Sequence, residues 1–248
     1  QHLLIVGRSG RRIQHFKQFS VHDDACGMKV GTDALILGAW AGATSQQGDQ
    51  NVRHILDIGT GSGVLALMLA QRFPGATIDA VELEDGAARQ AQENAKRSPF
   101  ANRIRIHHRA IQGWQGEADL VVCNPPFFRD HPKSNDRKRN LARHDDALPL
   151  RVLFTIAKNC MHANGAFDLV FPEDRAEEVI EVAQDIDLAL SAKIGLRATP
   201  HHEIIRSLWS WRKAKCARPV IEVWNTESPE GQGRWSEKLA SRLEPFVR

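Results

Sequence analysis

The 248-residue chain carries 42% hydrophobic and 25% charged residues and a formal net charge of +3, the composition of a chain able to bury a core of its own. No apolar run approaches the eighteen or so residues of a membrane span, and the opening Leu3-Leu4-Ile5-Val6 run is too short for the apolar region of a signal peptide. Cys26, Cys123, Cys160 and Cys216 lie far apart with no Cys-x-x-Cys pair, which argues against a zinc ribbon and for reduced thiols in a cytoplasmic protein.

In chain order, residues 1–45 read as a leading segment packed on the rest, and residues 46–248 as the main domain. The polar, Gly/Gln-rich stretch Gly42–Asn51 lies between them. Strand and helix then alternate: a strand over His54–Ile58, a helix over Val64–Phe73, a strand over Thr77–Leu83 and an alanine-faced helix over Asp85–Arg97. Ile104–His108 is a short strand. Asp119–Cys123 is another, and its Leu-Val-Val content suits burial on both faces. A helix over Pro149–Met161, a strand over Phe167–Phe171 and an acidic helix over Glu173–Ile186 follow. Late strands are expected around Leu188–Leu196, Ile205–Trp211 and Val220–Trp224. Alternating elements predict a mostly parallel sheet with helices on both faces, closed at its far edge by a hairpin because the late strands lack helices between them.

The segment Leu56-Asp57-Ile58-Gly59-Thr60-Gly61-Ser62-Gly63 lies between a predicted strand and a predicted helix. Glycines at alternate positions let the backbone turn tightly and approach a ligand, and the following helix points its first amides at that ligand. The stretch lacks the Gly-Lys-Ser/Thr of a phosphate loop, and its G-x-G-x-G spacing is not the G-x-G-x-x-G of a dinucleotide site. Asp57 suits the ammonium of a methionine moiety and would repel a pyrophosphate. Glu82 closes the next strand, at about the distance from the turn at which an acid accepts hydrogen bonds from both ribose hydroxyls.

Asn124-Pro125-Pro126-Phe127 follows the strand Asp119–Cys123, at the carboxyl edge where open α/β sheets bind ligands. An exocyclic amino nitrogen on adenine is a poor nucleophile because its lone pair is delocalised into the ring. If the Asn124 side-chain oxygen and the Pro125 carbonyl each accept one N–H, they favour a rehybridised nitrogen whose lone pair faces a sulfonium methyl. Prolines contribute acceptors only and hold the turn rigid. Phe127 would stack on the base.

His107-His108 and His201-His202 are not read as metal ligands, since strand neighbours point to opposite faces; no metal is expected. Charge is uneven. Arg8, Arg11, Arg12 and Lys17 precede Phe19 without an acid, Arg129–Arg143 is basic, and Lys193–Arg218 contains Glu203 as its lone acid. Three basic stretches on a near-neutral chain suggest a polyanionic partner. Lys133, Arg137, Lys138, Arg139 and Arg143 leave the Asn124 turn directly and are the candidates for RNA phosphates.

Together these residues resemble the amino-methyltransferase branch of the class I fold, which methylates adenine N6, guanine N2 or a glutamine amide. Phe16–Asp33, Leu37-Gly38-Ala39-Trp40, Leu67–Arg72 and Gln90–Asn94 are similar to the bacterial valine-tRNA adenine-N6 methyltransferases, over roughly residues 16–172 and more loosely beyond. The resemblance implies a Rossmann-like three-layer α/β fold with a seven-stranded, mostly parallel sheet whose last strand is antiparallel. It further implies S-adenosylmethionine as cofactor, adenine 37 of tRNA as substrate, and Lys29, Gly31, Thr32 and Asp33 closing over the cofactor alongside Asp57, Gly59, Gly61, Gly63, Glu82 and Asn124. Asp24 stands where that family usually has Arg, Gly27 where it has Ala, Phe127 where Tyr is more frequent, and Ala110 where an Asp often contacts the cofactor's adenine. The alternatives are a ribosomal-RNA guanine-N2 methyltransferase, a protein glutamine-N5 methyltransferase and a non-enzymatic RNA-binding module. A monomer is the expected state, with no membrane partner.

Overall fold

The computed structural model describes residues 4–6, 12–43, 51–125, 148–229 and 234–247. The leading segment opens with three short strands, β1 (Leu4–Val6), β2 (Arg12–His15) and β3 (Ser20–His22), paired antiparallel in that order. Phe16 and Phe19 stack at 4.4 Å between centroids and enter the main core. Helix α1 (Thr32–Trp40) follows; every residue from Ala34 to Trp40 is buried, as its near-uniform apolarity requires.

The main sheet is built from β4 (His54–Ile58), β5 (Thr77–Glu82), β6 (Ile104–His108), β7 (Ala118–Cys123), β8 (Met161–Pro172), β9 (Ala189–Arg197), β10 (Arg206–Arg212) and β11 (Val220–Asn225). Their order across the sheet is β11-β9-β10-β8-β7-β4-β5-β6. Helices α2 (Val64–Arg72), α3 (Asp85–Arg97), α4 (Leu150–Cys160), α5 (Ala176–Asp185) and α6 (Glu237–Leu243) complete the layers. One core cluster gathers Leu37, Leu67, Ile78, Val122, Leu208 and Leu243 on the α1, α2 and α6 face, and the other gathers Leu56, Val121, Phe154, Phe167 and Trp209 on the α4 and α5 face. The expected three-layer, Rossmann-like α/β class is therefore present. Arg103 stands in for a glycine cap at the end of α2 by donating to the carbonyls of Ala70 (2.6 Å), Phe73 (3.1 Å) and Ala76 (2.9 Å).

The sheet differs from expectation at its far edge. Eight strands pair among the described residues, one more than the seven expected, and the antiparallel member is β10, enclosed between β8 and β9. The hairpin β9–β10 forms as anticipated. Residues 213–219 then carry the chain past β9, and β11 joins the edge parallel to it. Pairing beyond a hairpin partner leaves no local sequence signal, because strand order is a non-local choice.

Candidate functional site

The carboxyl ends of β4, β5 and β7 meet at the glycine turn. Gly59, Gly61 and Gly63 adopt φ of 72°, 58° and 81°, the left-handed region that favours glycine. The N–H groups of Gly59 and Thr60 both donate to the Val81 carbonyl (2.9 and 3.1 Å), anchoring the turn on β5. A Cβ added at Gly59 or Gly61 would meet no described atom within 4 Å, whereas one at Gly63 would lie 3.3 Å from the Ala91 Cβ of α3. The first two glycines thus open onto a cleft, and the third permits close helix packing.

Two carboxylates flank the turn. Asp57, 1% exposed, accepts from the Thr60 hydroxyl at 2.6 Å through Oδ2, while Oδ1 is buried with no hydrogen-bond partner among the described residues. Burial pushes its pKa up to about 7; the Thr60 hydroxyl opposes the shift and the nearby Glu82 charge adds to it. Glu82 is half-buried and accepts from the Gly61 N–H through Oε2 (2.8 Å) and from the Glu84 N–H through Oε1 (2.9 Å). An unpaired buried carboxylate oxygen beside a second carboxylate is a place that favours a cation. Cys123, at the end of β7, is held as a thiol by burial and by the charges of Asp57 and Glu82, so it offers no thiolate nucleophile.

The cleft encloses about 400 Å³ of empty space, including the part open to solvent. Its walls are Met28, Lys29, Val30 and Ala34 from the leading segment, Asp57 to Ser62 apart from Ile58, Val64 and Leu65 from α2, and Asn124 from the end of β7. The leading segment is held in shape by its own polar groups: Asp23 Oδ2 accepts from the Val30 N–H (2.9 Å), and Lys29 Nζ donates to the carbonyls of Asp23 (2.7 Å), Asp24 (3.2 Å) and Cys26 (3.2 Å).

Of the residues singled out in the sequence, Lys29, Asp57, Gly59, Gly61 and Asn124 come together around this cleft. Glu82 stands just behind Gly61. Gly31 caps α1, and Thr32 and Asp33 occupy its first turn; Asp33 pairs with Arg206 at 3.2 Å, and none of the three lines the cleft. Pro125 is half-buried next to Asn124. Pro126, Phe127, Lys133, Arg137, Lys138, Arg139 and Arg143 lie outside the described residues. Met28, Val30, Ala34, Thr60, Ser62, Val64 and Leu65 were not singled out. Only Thr60 left a readable signal, a hydroxyl three positions after a carboxylate at a strand end.

Several cations of the stretch Lys193–Arg218 are engaged by groups of the chain itself. Lys193 pairs with Glu173 at 2.6 Å and Arg206 with Asp33, while Arg212 is buried against Ser191 (3.0 Å) and Lys213 donates to the Met161 carbonyl (2.5 Å). That stretch, basic in sequence, therefore offers a polyanion much less than its composition suggests. Among the described residues no cluster of three or more His, Cys, Asp or Glu side chains is arranged to hold a metal ion.

The family model described as Methyltransferase small domain matches residues 44–180. A tRNA1(Val) (adenine(37)-N6)-methyltransferase from Aeromonas hydrophila subsp. hydrophila is 47% identical over 235 residues, covering 93% of this chain and 95% of the relative. One from Porphyromonas gingivalis is 41% identical over 209 residues, covering 82% and 81%. Among solved structures, a protein described as a predicted O-methyltransferase from Agrobacterium tumefaciens superposes with a TM-score of 0.66 over 86% of this chain and 96% of its own, at 16% identity, a likeness of fold.

Proposed function

The chain belongs to the tRNA1(Val) (adenine(37)-N6)-methyltransferase family, and from that premise we propose that it transfers a methyl group from S-adenosylmethionine to the exocyclic N6 of adenine 37 of a valine tRNA. The observation that carries the assignment to this cleft is that Asp57, with a buried oxygen unpaired among the described residues, lines it together with the open positions of Gly59 and Gly61 and with Asn124. The residues fit the cofactor: a buried carboxylate for an ammonium, a Gly turn that admits a close ligand, and a second acid at the next strand end.

When bound, S-adenosylmethionine supplies an electrophilic methyl group on a sulfonium. Asp57 Oδ1 would hold the ammonium of its methionine moiety, and Glu82 would accept from its ribose hydroxyls. Met28, Lys29 and Val30 wall the cleft from above, which supports reading residues 1–45 as a cover whose α1 start, with Gly31, Thr32 and Asp33, sets where that wall begins. Asn124 Oδ1 and the Pro125 carbonyl each accept one N–H of the adenine amino group, turning its lone pair toward the methyl. Transfer would form the N–C bond as the sulfonium S–C bond breaks, leaving the neutral thioether S-adenosylhomocysteine, and the proton lost from the now acidic nitrogen would pass to water without a strong base. Pro126 and Phe127 follow in sequence, and Phe127 is assigned the stacking on the extruded base.

Stacking one base contributes roughly 1–3 kcal/mol, short of the 8 kcal/mol or so of a micromolar complex. Phosphate contacts from Lys133, Arg137, Lys138, Arg139 and Arg143, which follow the catalytic turn in sequence, are assigned the difference. The free state of all four cysteine thiols supports a cytoplasmic setting. The test is methylation of a valine tRNA transcript with nucleoside mapping by mass spectrometry. Asn124→Ala should lower turnover by about two orders of magnitude with cofactor affinity unchanged; parental turnover in that variant would remove Asn124 from the chemistry. No methylated adenine from the parent would overturn the substrate assignment.

A further inference from the structure

Helix α3 presents an alanine face, with Ala87, Ala88, Ala91 and Ala95 buried, and one polar side chain, Asn94, is buried among them at 1% exposure. An amide in that position costs desolvation unless its hydrogen bonds are made. Asn94 makes three. Oδ1 accepts from the His22 N–H (3.0 Å), and Nδ2 donates to the His22 carbonyl (2.7 Å) and to the Ser62 carbonyl (2.8 Å).

Ser62 lines the cleft, and His22 lies six residues before the leading segment's part of that lining. His22 ends β3, and the chain from there runs directly to Met28, Lys29 and Val30. Ser62 lies between Gly61 and Gly63, so tying down its carbonyl sets the Ser62–Gly63 peptide plane in a turn whose glycines would otherwise leave it free. One turn earlier on the same face of α3, Gln90 accepts from the Ala25 N–H (2.6 Å) and donates to Asp24 Oδ1 (2.9 Å). The leading segment is therefore gripped at residues 22 to 25 by a helix that also grips the glycine turn.

We infer that Asn94, seconded by Gln90, is a positioning residue of the cofactor site, holding the leading segment and the glycine turn at the separation the cofactor requires. It touches neither the cofactor nor the reacting atoms and acts through Ser62 and His22. The inference rests on reading the cleft as the S-adenosylmethionine site, and the parent protein tests that reading separately.

The experiment titrates S-adenosylmethionine calorimetrically into the parent, Asn94→Ala, Asn94→Asp, Gln90→Ala and Ser191→Ala. The last removes the buried hydrogen bond between β9 and β10 to Arg212, several strands away from β4 and β5. Asn94→Ala should weaken binding about tenfold or more, since it strands the buried Ser62 carbonyl and two part-buried backbone groups of His22. Asn94→Asp should be no better, because an oxygen would then face the His22 and Ser62 carbonyls. Gln90→Ala, whose partners are more exposed, should cost about threefold, and Ser191→Ala should bind like the parent despite its lost stability. In steady state the loss should fall on KM for the cofactor, with kcat at saturation retained. Without cofactor, trypsin should cut after Lys29 faster in the Asn94 and Gln90 variants, and mass spectrometry identifies that cut. If the Asn94 variants do not fold, Gln90→Ala carries the test. Parental affinity in the folded variants, or rapid cleavage after Lys29 with parental affinity, overturns the inference. A parent that fails to bind S-adenosylmethionine overturns instead the reading of the cleft.

Discussion

Asp57 on β4 and Asp168 on β8 occupy one row of the sheet, two strands apart, since both are register partners of Val122. They share a face, both are almost wholly buried, and burial raises both pKa values. Their surroundings differ in sign. Each leaves its Oδ1 buried without a hydrogen bond among the described residues, but Asp168 accepts from the Gly42 N–H at 2.6 Å and has Ser210, Arg212 and Arg72 holding its shift down, so the two guanidinium charges answer it from within the chain. Asp57 has Thr60 and the Ala66 amide on its side but faces the carboxylate of Glu82, and it lines the cleft. A perturbed buried acid marks a site only where its compensation has been left for something else to supply.

The largest effect that would break this contrast is expected at Asp57 itself. Asp57→Asn keeps the shape but removes the charge, and it should weaken S-adenosylmethionine binding by about ten- to a hundredfold, the value of a charge-assisted hydrogen bond of roughly 1.5–3 kcal/mol. Calorimetric affinity equal to the parent's would show that Asp57 is as inward-looking as Asp168.

Asp168→Ala should do the reverse. It strands the Gly42 N–H and should cost about 1–3 kcal/mol in urea unfolding, with cofactor affinity within about twofold of the parent, as expected for independent sites. A large loss of affinity in a protein of parental stability would place Asp168 in the site.

The pH dependence comes next. The free-protein pKa of Asp57 is about 7, and a bound ammonium favours the carboxylate, which lowers it. Affinity should therefore rise with pH up to about 7 and level off above, with a slope below pH 7 of at most about tenfold per unit. The same shift has the opposite sign for folding. Because the folded pKa is raised, the contribution of Asp57 to stability is present below the ordinary carboxylate range and is lost as pH rises through 7. Titrations from pH 5.5 to 8.5 should show the affinity slope in the parent and none in Asp57→Asn; a slope that survives the substitution assigns it to another group.

The smallest effect should come from Thr60→Val. Losing the 2.6 Å hydroxyl donor leaves Asp57 harder to ionise, weakening binding at pH 7 by a few-fold for a hydrogen bond of about 0.5–1.5 kcal/mol. The loss should shrink at pH 8.5. An unshifted pH midpoint in this variant would mean that the hydroxyl does not tune the carboxylate.

The layered α/β class was legible in the chain, because the alternating apolar periods of β4 to α3 and the both-faces burial of β7 are local patterns. The sequence also located Asp57, the glycine turn, Glu82 and Asn124, since strand-end positions bring them to one edge of any parallel sheet. Helix α1 and the small β1–β2–β3 sheet were not legible as elements, as α1 is buried all round and lacks a polar stripe, and short strands carry little pattern. Folding alone settled that β11 adds an eighth strand, that Lys193, Arg206 and Arg212 are engaged by Glu173, Asp33 and Ser191, and that Lys29 is engaged by carbonyls while lining the cleft. It alone distinguished Asp57 from Asp168 and gave Asn94 its partners 72 and 32 residues away. The physical reason is common to these cases: charge and hydrogen-bonding capacity belong to a residue, but whether they are already satisfied depends on neighbours brought together by folding.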